Sequence, residues 1–105
     1  MLVLPNKVAS VWQKFLDDNR VLVYKYIVRE IKRGLEQEKN SIDLFRFEDG
    51  SMTSTIVSAQ YIHTLEYALS LFIKAEEFEY AGRTEAVMRM YYAQVLINET
   101  KNKRT

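Results

Sequence analysis

The sequence predicts a mainly α fold: a compact four-helix domain with one central β-hairpin, in the order α-α-β-β-α-α. Three observations carry this expectation. Four segments repeat apolar residues at helical spacing. The segment between the second and third of them alternates instead. At the centre of that segment sits Asp49-Gly50, a pair suited to the left-handed backbone of a tight hairpin turn. A chain of 105 residues is one domain, 1–105.

The first helix is expected over residues 7–18. Val8, Val11, Trp12, Phe15 and Leu16 form an i, i+3, i+4, i+7, i+8 stripe, with Ser10, Gln13, Lys14 and Asp17 opposite. Pro5 and Asn6 offer a start, and Asp17-Asp18-Asn19 ends or bends the helix. The second spans 20–39. Its front, Val21 to Val28, has the composition of a strand, but the longer pattern decides. Tyr24, Ile27, Val28, Ile31 and Leu35 share one helical face, and Lys25, Arg29, Lys32 and Glu36 share another. Asn40 is the expected stop. Leu22, Val23 and Tyr26 fall off the core face.

Strands are expected over 42–47 and 52–57. A type I′ turn at Asp49-Gly50 sets Phe47 opposite Met52 and Phe45 opposite Ser54. One face then collects Phe45, Phe47, Met52 and Ile56, and the other Leu44, Arg46, Glu48, Thr53 and Thr55. A lone two-stranded ribbon is marginal in water, so the aromatic face must pack on helices, while an outer edge stays open to a further strand.

The third helix is expected over 58–81, with Tyr61, Ile62, Leu65, Ala68, Leu69, Phe72 and Ala75 as its main face. Tyr67, Leu71 and Phe78 form a second ridge, and His63, Glu66, Ser70, Lys74 and Glu77 a wet strip between the two. Gly82 marks a turn into the last helix, 84–98. There Ala86, Met90, Ala93 and Ile97 line one side, and Val87, Met88, Tyr91 and Val95 another. Residues 1–5 and 99–105 are expected to fray.

Composition narrows the function. Without cysteine there is no disulfide, no thiolate nucleophile and no sulfur-ligated zinc. The apolar run before Pro5 is far short of the about 20 residues of a membrane span. A soluble, cytoplasmic protein is the expectation. The three glycines are isolated, so no phosphate-cradling loop exists. The single histidine, His63, has Glu66 one turn on, but both face outward by their own periodicity. Asp17-Asp18 and Glu76, Glu77 and Glu79 cannot converge from adjacent helical positions. No catalytic or metal site, cofactor or small-molecule substrate is expected, and no enzyme.

The positive signal is surplus apolar surface. The chain holds seven Tyr, five Phe, four Met and one Trp, and both late helices are apolar on more than one side. The candidate protein interface is Tyr67, Leu71, Phe78, Met88, Tyr91, Tyr92, Leu22 and Tyr26. It would serve a non-enzymatic interaction or regulatory module, as a homodimer, with another protein, or both. The alternative is a small nucleic-acid-binding regulator. Lys25, Arg29, Lys32 and Arg33 cover an arc of the second helix, and Lys101, Lys103 and Arg104 make a basic tail. Against it stand Glu30, Glu36 and Glu38 in the same helix and a net charge of +1.

Overall fold

The computed structural model describes residues 1–4, 9–50 and 53–103. The elements run β1 (Leu2–Leu4), α1 (Ala9–Asp18), α2 (Arg20–Glu36), β2 (Ser41–Phe47), β3 (Thr53–Val57), α3 (Ser58–Lys74) and α4 (Phe78–Lys103). Among the described residues the mainly α class and the four helices hold, but the sheet has three strands, in the order β1-β2-β3. Leu2–Leu4, expected to fray, pairs parallel with Phe45–Phe47 of β2. A parallel pair needs a long crossover, and α1 and α2 supply it. The outer edge of β2 is therefore taken, while that of β3 pairs with no strand among the described residues.

The break between the first two helices falls at Asn19, whose side-chain amide donates to the Phe15 carbonyl at 2.9 Å. The proposed start at Pro5-Asn6, and Val8, lie outside the described residues. α2 stops earlier than Asn40. Lys39 N–H donates to Gly34 C=O at 2.9 Å and Glu38 N–H to Leu35 C=O at 3.1 Å, around a left-handed Glu38 (φ 53°). This is a Schellman ending. α3 ends the same way, with Glu77 N–H on Phe72 C=O at 2.8 Å, Glu76 N–H on Ile73 C=O at 3.1 Å, and Glu76 at φ 59°. The turn expected at Gly82 is thus misplaced, and Gly82 lies inside α4. Glycine is the usual residue at such a stop, and glutamate carries no signal for it.

The hairpin register is half as expected. Phe45 faces Ser54 and Arg46 faces Thr53, but beyond them Asp43 faces Thr55 and Ile42 faces Ile56. Leu44 is the extra residue of a β-bulge. Strict alternation had placed it on the wet face; the bulge turns it inward, and it is buried with Phe47 and Ile56. The turn is also shifted. Gly50 N–H donates to Phe47 C=O at 2.9 Å, so Glu48 and Asp49 are its central residues. Gly50 is left-handed (φ 75°) and Asp49 is not, which excludes type I′. The Phe47–Met52 pairing lies outside the described residues.

The core gathers Ile27, Val28, Ile31 and Leu35 of α2 with Tyr61, Leu65, Ala68 and Phe72 of α3. Leu44 and Ile56 of the sheet and Ala81 and Val87 of α4 complete it. These are the centres of the predicted core faces of α2 and α3; Tyr24, Ile62 and Leu69 are half-buried at their margins, and Ala75, expected in the α3 face, is exposed at the helix cap. α2 approaches β2 at Gly34, where a Cβ would stand 2.8 Å from the Ile42 Cγ2. Tyr26 ties the layers together. Its hydroxyl donates to the Leu44 carbonyl at 2.8 Å and accepts the Leu2 N–H at 3.2 Å.

The molecule is flat rather than compact. Its radius of gyration is 15.4 Å and its extents are 50 × 35 × 16 Å, whereas a compact chain of this length has about 13 Å. Two elements explain the difference: α4 outruns its neighbours, and α1 leaves part of its stripe, Val11 and Phe15, exposed.

Candidate interaction surfaces

Total accessible area gives the size of the surplus. The chain exposes 7263 Å². A compact monomer of 12.4 kDa exposes about 6,100 Å² by size scaling, so about 1,100 Å² is in excess. One partner of a standard interface contributes about 800 Å².

Part of that excess lies at the C-terminal end of α4. α3 has 17 residues and α4 has 26, lengths of about 25 and 39 Å at the helical rise. The two run antiparallel, for Ser58 and Ala59 at the start of α3 share a cavity with Val95, Asn98 and Lys101. Gln94, whose side-chain amide donates to the Leu35 carbonyl at 2.6 Å, ties this end of α4 to α2, and one side of the end lines that cavity while the other is uncovered. Tyr92, Val95, Leu96 and Ile97 are exposed there, Leu96 by 66% and Tyr92 by 53%. Tyr92, Val95 and Leu96 stand at i, i+3 and i+4 and make one stripe. Tyr91 meets Tyr92 edge-on at 5.6 Å. Sequence reasoning found Tyr91 and Tyr92 but placed Val95 and Ile97 in helix faces and passed over Leu96. The available signal was that Val95-Leu96-Ile97 is apolar around the whole helix.

A second surface is a trough between α2 and α4, with a volume of about 620 Å³. Leu22, Val28, Ala86, Val87 and Met90 give it an apolar floor, and Tyr26 and Tyr80 add ring faces. Lys25, Arg29, Lys32 and Arg83 stand around it, and no carboxylate lines it. Lys25 and Arg83 lie over the Tyr80 ring at 4.4 and 4.9 Å, and Arg29 over Tyr26 at 5.6 Å. Leu22 is 64% exposed. The trough thus joins two predicted groups, Leu22 and Tyr26 from the interface set and three of the four basic-arc residues. It also adds Tyr80, Arg83 and Met90, which only the folded arrangement brings to them. Burial, then the nearby Glu30, push the Tyr26 hydroxyl up, against the Leu2 amide and Arg29 and Arg33.

The remaining predicted residues are scattered. Tyr67 packs on Tyr24 at 4.9 Å and accepts a hydrogen bond from Arg20 at 3.0 Å. It lines a cavity of about 710 Å³ between α1, α2, the hairpin and α3, which His63 and Asp17 also line. Leu71 is half-buried on α3. Phe78 is not part of the α3 ridge: it opens α4 and is 64% exposed. Met88 packs against the core. Arg33 pairs with Glu30 at 3.5 Å, which Arg29 also approaches at 3.9 Å. Lys101 lies by Lys39 at the far end of α4, away from the basic arc. The helix continues through Lys103, past the expected stop at residue 98, while Arg104 and the Lys103 side chain lie outside the described residues. Among the described residues, no three His, Cys, Asp or Glu groups converge as a metal site. No helix there is long and apolar enough to cross a membrane. Comparison with protein-family models, curated proteins and solved structures gives no match.

Proposed function

We propose that this chain is a non-enzymatic interaction module that pairs with a second copy of itself through the exposed end of α4. The observation that carries the reading is the exposed apolar run Tyr92, Val95 and Leu96 on α4, on a chain whose area exceeds that of a compact monomer by about 1,100 Å². An exposed apolar stripe on a helix can pair with its own copy about a two-fold axis, which puts the same patch on both subunits. Two copies of α4 laid together cover both stripes at once. A chain without cysteine suits the reducing cytoplasm, and this reading places it there.

Sedimentation at micromolar concentration tests the proposal. The wild type is expected at about twice 12.4 kDa. Leu96→Glu puts a charge into the stripe and is expected to return the protein to the monomer mass. Because Leu96 is exposed in the single chain, circular dichroism should stay unchanged. A wild-type monomer, or a dimer indifferent to the charge, overturns the reading.

A further inference from the structure

We propose that the trough between α2 and α4 is a docking site for an acidic amphipathic helix of a partner protein. The trough lies on the other side of α4 from the self-pairing stripe. Arg83, Ala86 and Met90 point on average about 130° away from Tyr92 and Leu96 by the helical step. The proposal therefore stands or falls independently of dimerisation.

Shape is the first ground. On α2 the lining residues run from Leu22 to Lys32, and on α4 from Tyr80 to Met90. Each wall is therefore about 15 Å long, or about three helical turns. The walls run side by side in the same direction, since Lys25 meets Glu77 at 3.0 Å while Leu35 meets Gln94 at 2.6 Å. Two neighbouring helices with an apolar floor between them leave the seat that a third helix occupies in a bundle.

Charge is the second ground, and it selects the occupant. Lys25 and Arg83 have their own carboxylates, Glu77 at 3.0 Å and Glu79 at 2.6 Å. Arg29 is held more loosely, 3.9 Å from Glu30, and Lys32 makes no salt bridge to a described residue. The α2 wall therefore presents positive charge directly beside Leu22, Val28 and Tyr26. A helix with an apolar stripe flanked by Glu or Asp satisfies floor and rim together. A nucleic-acid strand would engage the rim, but its sugar-phosphate chain leaves Leu22, Ala86 and Met90 without apolar partners.

The probe is a fluorescent synthetic helix of about 15 residues, with leucines at i, i+3, i+4 and i+7 and glutamates on the flanks. A lysine-for-glutamate version and a single-stranded oligonucleotide serve as comparisons. The expected result is saturable anisotropy with the acidic peptide, weakened by salt and absent with the lysine version. Arg29→Glu with Lys32→Glu should weaken it about tenfold or more. Leu22→Ala with Met90→Ala should weaken it without changing the salt dependence. None of these side chains is fully buried, and circular dichroism checks that the variants fold. The proposal is overturned if the acidic peptide does not saturate, if both peptides bind alike, or if the variants leave its affinity unchanged. Binding of the oligonucleotide alone, lost on the double reversal, overturns it in favour of a nucleic-acid surface.

Discussion

Changing Tyr26 to Phe removes one oxygen and leaves the ring in place. That oxygen donates to the Leu44 carbonyl at 2.8 Å and accepts the Leu2 amide at 3.2 Å. The two partners are not equivalent. Leu2 is exposed, so water replaces the lost acceptor, whereas Leu44 is buried at the bulge. A buried carbonyl without a donor costs about 1–3 kcal/mol. A loss of about 1–2 kcal/mol is therefore expected, and each kcal/mol moves the midpoint of a domain this size by about 4–8 °C. The thermal midpoint followed by circular dichroism at neutral pH should fall by about 5–15 °C.

The same substitution has an alkaline signature. Tyr26, Tyr24 and Tyr61 are all raised above 10.0, each chiefly by burial. A raised folded pKa means the neutral phenol is favoured in the fold. Its contribution is complete below the unfolded value near 10 and is lost as pH rises through the folded value. Each tyrosine adds a slope of at most about 1.4 kcal/mol per pH unit in that window. Tyr26→Phe should remove one of three such contributions and flatten the alkaline limb; all other titrations are common to the two proteins. An unchanged neutral midpoint together with an unchanged alkaline slope would refute the clamp.

Gly50→Val should lower the thermal midpoint, because Gly50 sits at φ 75°. A left-handed L-residue costs about 1–2 kcal/mol, and nothing stands within 4 Å to compensate; an unchanged melt would mean the turn is built otherwise. Glu76→Gly should act in the opposite sense, since it relieves the same strain at φ 59° in an exposed residue. The gain is smaller, about 0.5 kcal/mol after the extra backbone entropy of glycine in the unfolded chain. Chemical denaturation resolves it, and a destabilised variant would show that the Glu76 side chain contributes a contact.

How much of this was legible depended on how local each decision is. The core faces of α2 and α3 could be read from the sequence because helical period is a property of neighbours three and four residues apart. Ile27, Val28, Ile31 and Leu35, like Tyr61, Leu65, Ala68 and Phe72, declare one side of a helix without knowing what covers it. The inner pair of the hairpin, Phe45 with Ser54 and Arg46 with Thr53, follows from a short closure in the same way. The interface set was harder, because fully apolar stretches such as Val95-Leu96-Ile97 have no face to declare.

Only the tertiary structure decided the rest. Leu2–Leu4 becomes a strand because Phe45–Phe47 lies beside it, a pairing across some forty residues that three apolar letters cannot announce. Leu44 turns inward because the bulge shifts the register, and two helices stop at glutamates whose neighbours supply the closing hydrogen bonds. The candidate surfaces arise likewise: α4 is left uncovered because α3 is nine residues shorter, 17 against 26. The trough unites Leu22 and Lys32 with Arg83 and Met90 because two distant helices run side by side. Periodicity states which side of an element is apolar; relative length and long-range pairing determine which of those sides another element reaches.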